Sequence, residues 1–222
     1  SLTGRAPKSL ALEAVAEALG EHGDVARGEE GGRPYAALAL HPAAEPLVIV
    51  APSEGVFHAS ATTGTAGLGY HAHLCELLGA LGERLGIAWD PAGDETGYFA
   101  RRDRAALETA TLAWLGALAK RILELSRAGG GAIQINLPAE ARFTHAGFVA
   151  TPLGPRDEAW VVAVADDPTS GIDVFPWWEP GRGALALRGM ALAAMWIDVR
   201  WRPPVDERER EALARIASWL EE

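Results

Sequence analysis

From Tyr70 the apolar residues of this chain change their period, and that change constrains the fold more than any other feature. Leu74, Leu77, Leu78, Leu81 and Leu85 recur at steps of three and four, the stripe of one helix face, and the stripe ends near Gly86. Upstream the apolar runs are short. Tyr35–Leu40 closes at His41-Pro42, and Leu47–Ala51 closes at the turn residues Pro52 to Gly55. Val56–Ala61 then alternates, and it pairs with Leu47–Ala51 as a hairpin. Strands that lead into a helix imply an α+β fold: a mixed or antiparallel sheet with helices packed on it.

The remaining elements follow from caps and breakers. Ser9 is the expected N-cap of a first helix over 10–19, and the charged, Gly-rich stretch 24–34 reads as a loop with room for a short strand. Ile87–Trp89 suits a short strand. Asp103 caps the longest helix, 104–127, which the glycines at 129–131 stop. Strands are expected at 132–137, 147–151 and 160–165, with a turn at 154–157. A nearly all-apolar helix follows at 184–197, and Asp206 caps a last amphipathic helix. This order gives a single domain over 1–222. Its halves, 24–127 and 131–222, both read as β-β-β-α-α and invite comparison as a pseudo-repeat.

Composition enters where it excludes partners. The net charge is −10, and only Lys8 and Lys120 are lysines among 20 basic residues, with no basic run. Nucleic acid and anionic membranes are therefore not expected partners. No apolar run reaches the length of about 20 residues that a membrane span needs. One cysteine, Cys75, allows no internal disulfide, and the start SLTGRAPKSL has no apolar signal core. The expected location is the cytoplasm, and the Arg-over-Lys bias with abundant Ala and Gly points to a bacterial coding sequence.

Chemistry-bearing residues concentrate in SATTGTAGLGYHAHLCELL, residues 60–78. Its loop offers glycines and hydroxyls at a helix N-terminus, where backbone N–H groups attract anions. Ser60, Thr62, Thr63, Gly64, Thr65, Gly67, Gly69 and His71 are the candidate ligand-binding residues. The loop is neither a Walker A loop nor a dinucleotide fingerprint. His71, His73 and Cys75 are metal-capable side chains. At about 100° per helical residue, His71 and Cys75 share a side and His73 points away. A His71/Cys75 pair needs further ligands, with His58 the nearest candidate. One helical turn also poorly suits a Cys–His nucleophile pair, which needs an orienting third group. The polar run Asp94, Glu95, Tyr98, Arg101, Arg102 and Asp103 offers paired carboxylates for acid–base work, or simply an entrance to the long helix. Trp177 and Trp178, with Arg182, form a candidate contact surface in irregular chain.

Two blocks, Asp94-Glu-Thr-Gly-Tyr-Phe-Ala-Arg-Arg-Asp103 and Met195-Trp-Ile-Asp-Val-Arg-Trp-Arg-Pro-Pro204, resemble accessory domains encoded beside MoxR- or FtsH-type AAA ATPases in bacterial ternary conflict systems. The resemblance implies a cytoplasmic protein partner, with an AAA ATPase as the candidate, and transfers no catalytic residue. The expectation is a non-enzymatic interaction or sensing module without a cofactor. The alternatives are a small-ligand or anion-binding domain using the 60–71 loop, or a metal-dependent hydrolase through His71 and Cys75.

Overall fold

The computed structural model describes residues 1–41, 44–64, 66–127, 148–151, 154–174, 184, 187–188, 191, 194–195 and 203–221. The chain divides into two compact units, Ser1–Leu107 and Glu108–Glu222.

Unit 1 is an α+β fold around a six-stranded antiparallel sheet. Its strands are β1 (Leu2–Arg5), β2 (Val25–Glu30), β3 (Arg33–Leu38), β4 (Leu47–Ser53), β5 (Val56–Ser60) and β6 (Ala88–Asp90), in the order β2-β3-β4-β5-β1-β6. Every pairing is antiparallel. Alternation of side chains sends one face of the sheet to the core. The register lines up Ala36, Ile49, Ala59 and Leu2 across four strands, and all are buried. Two helices complete this core: α1 (Leu12–Gly20), burying Val15, Ala16 and Leu19, and α2 (Leu68–Leu85), burying Tyr70, Leu74, Leu77, Leu78 and Leu81. The leucine stripe thus faces inward, and α2 ends where expected, on Gly86 in the left-handed region. After β6 a 3-10 turn (Pro91–Gly93) and the short helix α3 (Tyr98–Arg101) lead into α4 (Arg104–Arg127). Asp103 caps α4, accepting from the Ala106 N–H at 3.0 Å.

Two expectations in this unit are corrected. The stretch 24–34 is a hairpin, with the strand β2 filling most of what was expected to be loop around a short strand. Gly31 and Gly32, at φ +58 and +75, make the tight turn that joins β2 to β3. β2 is exposed along nearly all its length, so it carries no apolar alternation to read. Ser9 does not cap α1; Ala11 holds that position without a side-chain bond.

In unit 2, β7 (Phe148–Thr151) pairs antiparallel with β8 (Gly154–Asp157), where a turn was expected. The segment 160–165 is helical, not a strand: it lies in α5 (Glu158–Asp166). Asp157 caps it by accepting from the Trp160 N–H at 2.6 Å, and Glu158 sits in the first turn. Val161, Val164 and Ala165, spaced three and four apart, pack against Leu115, Ala119 and Ile122 of α4. The β-β-β-α-α order read for the second half therefore has a helix at its third strand. The last helix, α6 (Glu207–Glu221), is capped by Asp206 as expected. Ile216 of α6 packs with Ala191 and Ala194, which are helical as anticipated. The strand expected at 132–137, the glycines at 129–131, and Trp177, Trp178 and Arg182 lie outside the described residues. Among the described residues no helix is long and apolar enough to cross a membrane.

Candidate functional site

Three segments of unit 1 meet at the first turns of α2. The connection from β5 delivers Thr63. The helix delivers His71 and Cys75 one turn apart, as the helical period requires. The turn after β6 delivers Asp94 and Thr96. His71 is the hub. Its Nδ1 lies 3.0 Å from Thr63 Oγ1. Its Nε2 faces three groups at once: Thr96 Oγ1 at 3.0 Å, Asp94 Oδ1 at 3.3 Å and Cys75 Sγ at 3.5 Å.

The Asp94 loop is held by its own hydrogen bonds. Asp94 Oδ1 accepts from the Thr96 N–H (3.0 Å) and hydroxyl (2.7 Å), and Oδ2 accepts from the Phe99 N–H (2.7 Å) at the start of α3. Arg102 then fastens α3 to α2. Its guanidinium donates to the Cys75 carbonyl at 3.0 Å and lies over the Phe99 ring, 5.0 Å from its centroid. Gly79 makes that approach possible, because a Cβ there would come within 2.7 Å of the Arg102 Nη2. Tyr98 adds a hydrogen bond from its hydroxyl to Glu76 at 3.2 Å.

Burial sets the charge states. It lowers the His71 pKa below the usual imidazole value, against the opposing pull of Asp94, so the ring is neutral near neutral pH. Burial pushes the Cys75 thiol up to about 12, with the Asp94 charge adding to the effect. Burial also acts to raise Asp94, but hydrogen bonds from Phe99 and Thr96 and the neighbouring His71 outweigh it, and its pKa falls below the ordinary carboxylate value. The site is a neutral imidazole, a neutral thiol and a buried carboxylate, with only 4% of the Asp94 side chain exposed. This is not a nucleophile triad: Cys75 and Asp94 face the same ring nitrogen, whereas a triad needs the acid on the opposite one.

The cluster opens on a cavity of about 380 Å³. Its lining mixes apolar side chains, Leu2, Leu47, Leu74 and Leu78, with polar ones, among them Thr62, Thr63, His71, Asp94 and Thr96. Among the described residues no Lys or Arg side chain lines it. Ser60, Thr62, Thr63 and His71 from the proposed ligand loop do line it, and Thr62 donates to Glu45 at 2.8 Å. Gly67 caps α2 at φ +88 and Gly69 is buried inside the helix, and with Gly64 these glycines stand outside the lining. Thr65 lies outside the described residues. The cavity thus meets side chains of α2 and not the free N–H groups of its first turn. His58 sits on β5 with Nδ1 3.1 Å from Thr3 Oγ1, away from the cluster. His73 projects elsewhere, as its spacing requires.

Asp94 and Thr96 are the partners that sequence reasoning did not join to His71. The signal was present, since both lie in the polar run before α4. Nothing local ties that run to α2, however, where His71 stands 25 positions before Thr96. No protein-family model matches the chain, and comparison with curated proteins and with solved structures finds no match to it.

Proposed function

We propose that unit 1 is a small-ligand-binding domain whose cavity takes a neutral or cationic polar molecule. The observation that carries this reading is the cavity beside His71, whose lining combines leucine side chains with hydroxyls and carboxylates. Its size falls within the range of about 300–1,000 Å³ typical of ligand pockets. The leucine side chains receive the hydrophobic part of a ligand, and convergent acceptors fix a donor group. Asp94 and Glu95 disfavour an anion there, because no Lys or Arg side chain among the described residues lines the cavity and the Ser1 ammonium is one positive charge against two carboxylates.

Thermal unfolding against matched panels of amines, neutral polyols and nucleosides, and phosphates and carboxylates, all in excess chelator, tests the reading. A ligand at 100 times its dissociation constant stabilises by about 2.7 kcal/mol. Stabilisation is expected from the neutral or cationic panel, and Glu95→Lys, at an exposed position, weakens it for cations. Stabilisation by anions alone, or by nothing across the panels, refutes it.

A further inference from the structure

We propose that His71, Cys75 and Asp94 are the three protein ligands of a Zn²⁺ site whose fourth position opens on the cavity. Four observations support it. First, Nε2 of His71 is crowded beyond what hydrogen bonding asks. An sp² ring nitrogen makes one in-plane hydrogen bond, yet a thiol, a carboxylate and a hydroxyl all converge on it within 3.5 Å. One cation in front of Nε2 would take the thiol sulfur and a carboxylate oxygen as ligands together, with Thr96 still holding that oxygen.

Second, two of the three donor separations match those a tetrahedral ion sets. Tetrahedral zinc, with bonds of about 2.0–2.1 Å to nitrogen or oxygen and about 2.3 Å to sulfur, sets its donors about 3.6 Å (N to S) and about 3.3 Å (N to O) apart. The observed separations are 3.5 Å from Nε2 to Sγ and 3.3 Å from Nε2 to Oδ1. The three donor atoms all lie within 4.8 Å of one another.

Third, an outer shell is in place. Thr63 Oγ1, 3.0 Å from Nδ1, receives the proton of the tautomer that leaves Nε2 free for metal. The Phe99 N–H holds the far oxygen of Asp94. Fourth, all three ligands line the cavity, so three protein donors leave a position that a water or a ligand can take, the arrangement of an open zinc site. The mixed N, S and O donor set suits Zn²⁺ and not the all-oxygen preferences of Mg²⁺ or Ca²⁺. The site goes beyond the small-ligand reading and does not depend on it.

The experiment is titration of the chelator-stripped full chain with Co²⁺, a spectroscopic substitute for Zn²⁺, followed by Zn²⁺ displacement. One equivalent is expected to saturate the protein, with the intense visible bands of four-coordinate Co²⁺ and a sulfur-to-cobalt charge-transfer band. Cys75→Ser removes the charge-transfer band. Thr63→Val keeps the band and lowers Zn²⁺ affinity about 10- to 100-fold, as loss of an outer-shell partner does. Absence of saturable Co²⁺ binding by the wild type, weak octahedral-type bands, or a charge-transfer band that survives in folded Cys75→Ser overturns the site. The wild-type spectrum decides even if Cys75→Ser does not fold. Ligand stabilisation that persists in chelator keeps the cavity reading when the Co²⁺ titration fails, and Co²⁺ bands without any ligand response keep the metal site when the panels fail.

Discussion

Acid is expected to destabilise this protein in part through His41, and the size of that effect follows from the fold. His41 follows β3, is buried with 9% of its surface exposed, and packs its ring against Tyr70 with centroids 5.4 Å apart. Burial lowers its pKa from 6.5 to about 4. In the unfolded chain the ring takes a proton as pH falls through 6.5; in the folded chain it does not until about 4. Between those values the unfolded state binds more protons, so the contribution is fully present above 6.5 and is lost as pH falls. A tenfold difference in proton affinity between the two states corresponds to about 1.4 kcal/mol, so the loss between about pH 7.5 and about pH 5 is about 2 kcal/mol from this one residue. Urea unfolding of wild type and His41→Gln at both pH values isolates it from the carboxylates, which titrate in both proteins. The variant is expected to be less stable near neutrality and to lose about 2 kcal/mol less on acidification. Equal losses in the two proteins would refute the assignment of a buried, neutral His41.

Further outcomes follow from packing and caps. Ile49→Ala, in the buried row across four strands, lowers unfolding stability by about 2–5 kcal/mol in chemical denaturation; a loss of about 0.5 kcal/mol, the size of a surface change, contradicts that placement. Gly4→Ala puts a Cβ 2.6 Å from Ile87 Cγ2 and the Trp89 ring, and the overpacking costs about 1–3 kcal/mol with a shift in tryptophan fluorescence. Asp157→Ala removes the cap of α5 and costs about 1 kcal/mol, read together with loss of helical circular dichroism. Arg102→Ala frees α3 from α2, and hydrogen exchange at the Thr96 and Phe99 amides speeds up while that of the α2 core is unchanged; unaltered protection there shows that Arg102 does not hold the loop.

The parts of the fold legible in the sequence are those where a period or a cap acts locally. The leucine stripe of α2, its stop at Gly86, the β4–β5 hairpin and the Asp103 and Asp206 caps are all of this kind. β2 was hidden because an exposed strand shows no apolar alternation, although the Gly31-Gly32 turn announced it. The valines of α5 imitate a strand, since their β-branched side chains favour sheets, while the Asp157-Glu158 start was the helix signal. The site was half legible. Helical spacing separated His73 from His71 and Cys75, but the approach of Asp94 depends on β6, Arg102 and the space at Gly79, none of which is local to α2.

The sheet order gives β1 an organising place in unit 1. The strands from β2 to β5 form a meander that pairs neighbour with neighbour. β1 instead joins β5 across a separation of 55 positions at Thr3 and His58, and among the described strands it is the only one that β6 pairs with. Such non-local closure costs loop entropy that the meander does not. The segment that delivers Asp94 therefore depends, through β6, on a β1 paired across this long separation. β1 thus links both halves of the site: it joins β5, whose connection to α2 carries Thr63, to β6, whose following turn carries Asp94, and its own Leu2 lines the cavity.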